Sequence, residues 1–316
     1  MNSLREIKES RKADLLSREE YWRSFREHLR EIQNFADFGI TGEIKLTISK
    51  GEIIIEIPLN YSHKVQMVVN PDDIRSVPFS VLADGRYEPF HSDLIFELIN
   101  QSSGFVDIGA NMGYYTLAAG VLNSHLEVWC FEPNKEVFAL LEKNIILNEL
   151  SGKIHSHQLA LGDENVNDQA LFVPGFTGTG GGSFRNLHPD EGDPSVEFVT
   201  ISTMDQIFMD TKQEIDLIKI DVEGFELSVI NGGIKTLETY RPTIVIELLR
   251  KWMLPFGTSP NMVIDHLSEI GYISFAIGEK SLTLIENIDN STIETNFIFV
   301  HPENTKHLSL LMKYVL

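Results

Sequence analysis

Glycines and a carboxylate follow the first strongly apolar run in the middle of the sequence, where they could bind a small ligand. The run continues as FVDIGANMG, which places Asp107 beside a turn containing Gly109, Ala110, Asn111 and Gly113. The two glycines permit unusual backbone angles and a close approach of a ligand to the main chain. The spacing is GxxxG, whereas a dinucleotide turn is GxGxxG, and residues 104–120 contain no Lys or Arg. A pyrophosphate prefers backbone donors away from carboxylates, so this turn favours a ligand that carries an ammonium and a sulfonium.

Two further apolar runs end in residues suited to a nucleoside. Glu132 ends the second run, 23 residues after Gly109, about where nucleotide-binding sheets place an acid that accepts the ribose hydroxyls. Either Asp107 or Glu132 alone would equally fit helix capping, but acids after both runs favour ligand binding. The third run leads to Ala160, which could lie against an adenine ring. Asp163 follows and could reach the adenine amino group, although Gly-Asp is also an ordinary turn.

The fourth run carries charges where a buried strand should end. Its sequence is IDLIKIDVEGFE, with Lys219, Asp221 and Glu223 at the exit, and the fifth run, TIVIE, ends in Glu247. Charged groups in such a place need partners or a chemical task, because burying them unpaired is costly. Ligands of an open α/β sheet bind at the carboxyl ends of its strands, so we expect these acids to meet the glycine turn there.

Alternating strand and helix patterns predict the fold that would position these residues. The predicted strands are 104–108, 127–131, 154–160, 215–220 and 243–247, and the predicted helices are 114–122, 134–148 and 226–237. This alternation indicates an α/β fold with a mostly parallel sheet and helices on both faces. A helix near 262–269 and strands near 273–276, 282–285 and 297–300 are expected to add an antiparallel edge.

The first 85 residues have other periodicities and are predicted to form an extension of helix and β-hairpin. Ser17 and Glu20 have capping-box spacing, and an apolar helical stripe follows at Trp22, Phe25, Leu29, Ile32 and Phe35. The stripe fits packing on its own domain better than a homodimer contact, which stays open. Residues 44–48 and 53–57 predict the hairpin, residues 65–69 a third strand, and residues 70–88 a loop. We therefore separate residues 1–85 from a main domain of residues 86–316.

Composition excludes several classes of function. The 316 residues, 42% of them apolar, include 26 Lys and Arg against 46 Asp and Glu, for a formal net charge of −20. This charge repels nucleic acid, so no nucleic-acid partner is expected. The one cysteine, Cys130, excludes an internal disulfide and a Cys-rich zinc site. The charged opening lacks a secretory apolar segment and no run of 18 apolar residues occurs, so we expect a cytoplasmic protein without a membrane span.

Three strings together resemble the FkbM-type family of S-adenosylmethionine-dependent methyltransferases. They are FVDIGANMGYYT, FEPN and IDLIKIDVEGFE, and the similarity covers roughly residues 88–249, about half of the chain. The resemblance implies a class I, Rossmann-like methyltransferase domain at residues 86–316 with S-adenosylmethionine as cofactor. It also implies methyl transfer to oxygen, usually a hydroxyl on a sugar, glycan or natural product.

The resemblance gives each strand end a role in binding the cofactor. Asp107 would bind the methionine amino group, Glu132 the ribose and Asp163 the adenine. The complete predicted cofactor set is Asp107, Gly109, Ala110, Asn111, Gly113, Glu132, Ala160, Asp163 and Asp221.

Three acids are predicted to be catalytic: Asp221, Glu223 and Glu247. Methyl transfer is an in-line displacement that depends on alignment, and a weakly nucleophilic hydroxyl benefits from a base, here Asp221 or Glu223. Alternatively, Asp221 and Glu247 could hold Mg²⁺ that orients a diol, but neighbouring acids more often form a hydrogen-bonded pair, so we predict no metal.

Other features have weaker functional interpretations. The loop 175–183 lacks the GK[ST] ending of a phosphate loop and is either an acceptor lid or an idle hairpin, and His188 beside it could reach the acceptor. His155 and His157 share a strand face without a third metal ligand, which is typical of packing or surface residues. The competing functions are a dinucleotide-dependent oxidoreductase, which the sheet alone permits, and a non-catalytic cofactor-binding module.

Overall fold

The computed structural model describes residues 44–49, 51–70, 76–174, 181–187, 193–209 and 213–316, with residue 73 and isolated positions between 9 and 30. The predicted capping box is confirmed, because the Glu20 N–H donates to Ser17 Oγ (3.2 Å) and the Ser17 N–H donates to Glu20 Oε2 (2.8 Å). The residues of the apolar stripe, residues 175–180 of the glycine-rich loop and His188 lie outside the described residues.

The described strands and helices alternate through most of the chain. In chain order the strands are β1 (Lys45–Ser49), β2 (Glu52–Pro58), β3 (Lys64–Val69), β4 (Gly104–Ile108), β5 (Glu127–Phe131), β6 (Ile154–His157), β7 (Ala160–Leu161), β8 (Val166–Val173), β9 (Ser195–Ser202), β10 (Leu217–Ile220), β11 (Thr243–Glu247), β12 (Ile273–Ile277), β13 (Leu282–Ile285) and β14 (Asn296–Val300). The α-helices are α1 (Val77–Asp84), α2 (Pro89–Asn100), α3 (Tyr114–Leu122), α4 (Lys135–Leu147), α5 (Met204–Phe208), α6 (Glu226–Asn231), α7 (Ile234–Tyr240), α8 (Arg250–Met253), α9 (Pro260–Glu269) and α10 (Thr305–Leu311).

The main sheet has the strand order β13-β12-β14-β11-β10-β4-β5-β6. Its central strands, from β11 to β6, are parallel, and β14, β12 and β13 form an antiparallel edge. This confirms the predicted class I, Rossmann-like α/β fold. Since β4 continues to β5 on one side and pairs with β10 on the other, the strand order reverses between β4 and β10, where ligands of such sheets bind.

Apolar clusters cover both faces of this sheet. Phe105 and Leu217 belong to the cluster that includes α2, α3 and α4, whereas the adjacent Val106 and Ile218 belong to the cluster that includes α6, α7 and α9. Successive side chains of a strand point to opposite faces, so strands covered on both faces are apolar throughout. This burial explains the continuous apolar runs of the sequence. No helix in the described ranges has both the length and the apolar character needed to cross a membrane.

Three predicted elements were wrong in detail. The strand predicted at 154–160 stops at His157, and the next two residues of strand form β7 in a separate sheet of order β7-β9-β8. The helix predicted at 226–237 is divided at Gly232, where a Cβ would lie 1.8 Å from the Gly162 carbonyl oxygen. The predicted loop at 70–88 contains α1, because Pro78 falls in the first helical turn, where a missing N–H is tolerated.

The hairpin and third strand of the extension are confirmed as the sheet β1-β2-β3, which packs on α4. The Val68 N–H donates to Asn144 Oδ1 (2.9 Å), and the Gln66 N–H donates to Asn148 Oδ1 (2.8 Å). These amides satisfy the exposed backbone of the β3 edge, which would otherwise be open to pairing with other strands. The domain boundary at residue 85 stays a prediction.

Candidate active site

The glycine turn after β4 lies between the ends of β5 and β10. Gly109 (φ 77°) and Asn111 (φ 51°) adopt left-handed backbone angles. The N–H groups of Gly109 and Ala110 both donate to the Phe131 carbonyl at 3.0 Å. A Cβ on Gly109 would lie 1.9 Å from the Asp221 carbonyl oxygen, so the close approach of β4 and β10 requires glycine there.

A cleft of about 1300 Å³, including open solvent at its mouth, lies at the carboxyl ends of these strands. One half is lined by the ends of β4 and β5 and by β7, and the other by the ends of β10, β11 and β14. The predicted site residues that line it are Gly109, Asn111, Glu132, Ala160, Asp221, Glu223 and Glu247. The structure therefore brings together these seven predicted residues, which are dispersed along the sequence.

A smaller cavity, lined by Asp107 and Ala110 among others, adjoins the cleft at Gly109 and Asp221. Asp107 is 1% exposed, and its Oδ2 accepts a hydrogen bond from Thr116 Oγ1 at 2.6 Å. Its Oδ1 is buried and has no hydrogen-bond partner among the described residues. Burial raises the pKa of Asp107, and nearby Lys219 opposes the shift. A buried acceptor without a donor is costly, so this oxygen suits a ligand that brings an ammonium.

Glu132 is buried in the cleft wall at the end of β5. Its Oε2 accepts the Asn111 N–H at 3.0 Å and its Oε1 accepts the Asn134 N–H at 2.9 Å. Burial raises the pKa of Glu132 to about 7, although these two backbone bonds lower it. Each carboxylate oxygen retains acceptor capacity beyond its backbone bond, which suits the two hydroxyls of a ribose.

Lys219 and Asp221 form an ion pair at the end of β10. Lys219 Nζ lies 2.9 Å from Asp221 Oδ2 and 5.1 Å from the centroid of the Tyr115 ring. Burial lowers the pKa of Lys219, but Asp221 and Asp107 outweigh this effect and raise it, so the lysine is charged. A role for this lysine cannot be predicted from the sequence alone, because its neighbour Asp107 is fixed only by the register of β4 and β10.

The loop after Asp221 is strained and braced by other elements. Glu223 (φ 51°) and Gly224 (φ 98°) both have left-handed angles. Ser183 Oγ donates to the Glu223 carbonyl at 2.8 Å, and the Gly224 N–H donates to Glu226 Oε1 at 2.9 Å. A Cβ on Gly224 would lie 2.3 Å from the Trp252 carbonyl oxygen. These contacts fix the backbone of Glu223 at the cleft wall.

Glu247 ends β11 beside Asp221, because Ile220 and Ile246 are paired in register. Burial, with the charges of Asp221 and Glu223, raises the pKa of Glu247 to about 9, and Lys219 lowers it. Its carboxyl therefore carries a proton at neutral pH in the ligand-free protein. This excess of acid makes the cleft suited to a positively charged ligand.

Several residues of the cleft could not be predicted from the sequence. Tyr87, Glu88 and His91 line the cleft from the segment at the start of α2, and Asn296 lines it opposite Glu247 in the register of β14 and β11. The Tyr115 hydroxyl donates to Glu88 Oε2 at 3.2 Å. Tyr87, Glu88 and His91 reach the cleft because of how α2 packs over the sheet. The one signal for them in the sequence, acid and aromatic residues on both sides of Pro89, is weak.

Two predicted cofactor residues lie away from both cavities. Gly113 (φ 93°) begins α3, and a Cβ there would lie 2.5 Å from Leu141 Cδ1, so it allows α3 to pack on α4. Asp163 is exposed and accepts a hydrogen bond from Ser228 Oγ at 2.5 Å. Gly162, which precedes it, has no room for a side chain, because a Cβ there would lie 2.8 Å from Phe225 Cε1 and 2.9 Å from Ile201 Cγ2.

The other sequence features have structural partners. His155 stacks on Trp129 and His157 stacks on Phe131, which confirms their interpretation as packing and surface residues. Among the described residues, no group of three or more His, Cys, Asp or Glu has the arrangement to hold a metal ion.

Comparisons with known proteins find similarity to methyltransferases. The family model described as the methyltransferase FkbM domain matches residues 107–274. The chain is similar to Methyltransferase 1 of Beauveria bassiana (25% identity over 150 residues; 41% of this chain and 58% of that protein). It is also similar to Methyltransferase sdnD of Sordaria araneosa (24% over 178 residues; 46% and 67%). The crystal structure of methyltransferase FkbM from Methylobacillus flagellatus KT has 20% identity and a TM-score of 0.39, covering 63% of this chain and 43% of that chain. The match thus spans little more than half of the Beauveria protein.

Proposed function

Because the chain belongs to the FkbM family of methyltransferases, we propose that it transfers a methyl group from S-adenosylmethionine to a hydroxyl oxygen of a sugar, glycan or natural product. The observation that carries this proposal is the acidic cleft at the switch point, where Asp107 and Glu132 flank the glycine turn. Among the described residues that line the cleft there are five Asp or Glu residues and one Lys. This field favours a sulfonium cofactor and disfavours the pyrophosphate of the dinucleotide that an oxidoreductase would bind.

The residues on the β4 and β5 side would hold the cofactor. Glu132 would accept the ribose hydroxyls, and the unpaired Oδ1 of Asp107 would accept a hydrogen bond from the methionine ammonium. When bound, S-adenosylmethionine supplies an electrophilic methyl carbon. The remaining task of the protein is to align the acceptor hydroxyl and remove its proton.

The acids on the β10 and β11 side would serve the acceptor. Glu247 is the best placed by its chemistry, because a carboxylate with a pKa of about 9 is a stronger base than an exposed one. Asp221 is engaged with Lys219 and would orient the site, while Glu223 faces the same half of the cleft. Such a base contributes about 100- to 10,000-fold to the rate.

Calorimetric titration with S-adenosylhomocysteine tests the cofactor. We expect 1:1 binding to the wild type and a loss of roughly 10- to 100-fold in Glu132→Gln, because an amide cannot replace both acceptor oxygens. Glu136→Gln, an exposed change in the first turn of α4, is the matched control and should bind as the wild type does. Binding of NADH without binding of S-adenosylhomocysteine would contradict the proposal and favour an oxidoreductase.

Transfer of a ¹³C-labelled methyl group to a panel of sugars and hydroxylated natural products tests the reaction. The chemical shift of the transferred carbon distinguishes an O-methyl from an N-methyl product. We expect Glu247→Gln to lower kcat by about 100-fold or more with S-adenosylhomocysteine affinity unchanged. In the wild type kcat/KM for S-adenosylmethionine, which reports the free enzyme, should rise with pH towards 9 as Glu247 ionises. An N-methyl product would refute oxygen as the acceptor atom, and binding without turnover on any acceptor would favour a non-catalytic module.

A further inference from the structure

We propose that Lys219 binds the carboxylate of the cofactor's amino-acid tail, which makes the small cavity beside the cleft a subsite for an α-amino-acid zwitterion. The inference rests on the proposed cofactor and deepens it by assigning the two charges of the tail to named side chains. The Asp107 and Asp221 side would take the ammonium, and Lys219 would take the carboxylate.

Lys219 is fixed at the junction of the two cavities. Its register partner on β4 is Asp107, and Asp221 follows two residues later, so all three side chains point to the same face of the sheet. The ion pair with Asp221 and the Tyr115 ring hold the ammonium in place, and the lysine side chain is 12% exposed. Lys219 lines both the cleft and the small cavity.

The charge balance of the subsite matches a zwitterion. Among the described residues lining the two cavities, Lys219 is the only Lys or Arg. A carboxylate entering this region without Lys219 would meet Asp107, Asp221 and Glu88 and no opposing charge. An ammonium, by contrast, would find the buried and unpaired Oδ1 of Asp107. A tail that carries both charges can therefore lie head to tail against the Lys219–Asp221 ion pair.

The competing interpretation is that Lys219 only neutralises Asp107 and Asp221. That role needs no access to a cavity, whereas Lys219 contributes to the walls of both. The two interpretations also predict different changes in affinity for a ligand without a carboxylate when Lys219 is replaced. If Lys219 only keeps Asp107 and Asp221 in place, its loss weakens all adenosine ligands alike, whereas the loss of a carboxylate-binding lysine weakens only the ligands that carry the carboxylate.

Three ligands separate these interpretations by calorimetry: S-adenosylhomocysteine, its decarboxylated analogue S-adenosyl-3-thiopropylamine, and 5′-methylthioadenosine, which lacks the whole tail. The wild type should bind S-adenosylhomocysteine about 10- to 100-fold more tightly than the decarboxylated analogue. In Lys219→Met this order should reverse, because the carboxylate loses its partner while the ammonium gains from the net negative site. Affinity for 5′-methylthioadenosine should stay within about threefold.

Two further variants act as controls. Lys219→Arg keeps the charge and should keep the preference for the carboxylate, and Lys235→Met, an exposed change on α7, should resemble the wild type. If Lys219→Met does not fold, Lys219→Met/Asp221→Asn takes its place, because removing both members of a buried ion pair is less destabilising than removing one.

The inference is overturned if the wild type binds the decarboxylated analogue as tightly as S-adenosylhomocysteine, or if the Lys219 variants weaken all three ligands equally. Absence of S-adenosylhomocysteine binding to the wild type would instead refute the proposed function, so the two failures are distinguishable.

Discussion

Replacing Gly109 with alanine should damage both folding and cofactor binding, and a second glycine allows the two causes to be separated. Gly109 has φ 77°, a left-handed angle that costs an L-residue about 1–2 kcal/mol. Its Cβ would also lie 1.9 Å from the carbonyl oxygen of Asp221 and 2.9 Å from the carbonyl carbon. Both atoms belong to the backbone directly after β10, so the ends of β4 and β10 must separate, at a cost of about 1–3 kcal/mol.

Gly51 is the matched control. It has φ 87°, and a Cβ there would meet no atom within 4 Å. Gly51→Ala should therefore lose only about 1–2 kcal/mol of unfolding free energy, from the backbone angle alone. Gly109→Ala should lose about 2–5 kcal/mol, because the steric contact adds to the same backbone cost.

Urea denaturation of both variants measures this difference, with an unchanged m-value as the sign that the denatured state is comparable. Calorimetry should show that S-adenosylhomocysteine binding weakens by at least about tenfold in Gly109→Ala and not in Gly51→Ala, because only the former displaces Asp221. Equal stability losses in the two variants would refute the argument that the approach of β4 to β10 requires this glycine.

Three other perturbations test separate parts of the structure. Burial lowers the pKa of His307 from 6.5 in the unfolded chain to about 4 in the folded protein. The free energy of unfolding should therefore be unaffected by this residue above pH 6.5 and should fall by up to about 3 kcal/mol as the pH drops towards 4. Urea midpoints should show a weaker acid dependence in His307→Gln. Glu247 has the opposite effect. Its pKa is about 9 in the folded protein and 4.5 in the unfolded chain, so the free energy of unfolding falls as the pH rises between these two values. Glu247→Gln should therefore exceed the wild type in stability more at pH 8.5 than at pH 5. Ser183→Ala removes the donor to the Glu223 carbonyl and should lower kcat several-fold with unchanged S-adenosylhomocysteine affinity; an equal loss in both would contradict a positioning role.

The main sheet could be predicted because its strands are buried on both faces. Residues 104–108, 127–131 and 243–247 were predicted with the bounds that the structure has, since a doubly covered strand leaves a continuous apolar run. The close packing that requires glycine at position 232, between α6 and α7, could not be predicted, because its partner is the backbone of Gly162, 70 residues away in the sequence. Local patterns indicate which elements form, whereas such close contacts depend on tertiary packing.

The acids at the strand ends of the cleft could be predicted from the sequence, whereas one wall of the cleft could not. Acids at the ends of parallel strands converge by topology, so Glu132, Asp221 and Glu247 could be assigned to one edge from the sequence. The wall formed by Tyr87 and Glu88 could not, because it depends on how α2 lies over the sheet. Asp163 differs from these acids, because it follows β7 of the separate small sheet and does not line the cleft, so its role in binding adenine stays a prediction.

Proton release on ligand binding connects these electrostatic features in one measurement. In the empty cleft Glu247 has a pKa of about 9 and Glu132 a pKa of about 7, so protons are bound at pH 7.5, chiefly on Glu247. Glu88, Asp221, Glu223 and Lys219 are the other charged groups that line the cleft. A ligand that adds a positive charge should lower the carboxyl pKa values and release protons. S-adenosylmethionine should therefore release more protons than S-adenosylhomocysteine, which lacks the sulfonium charge, and Glu247→Gln should remove most of the difference. Calorimetry in two buffers of different ionisation enthalpy counts the protons released on binding. Equal counts for S-adenosylmethionine and S-adenosylhomocysteine would show that the sulfonium lies away from these acids.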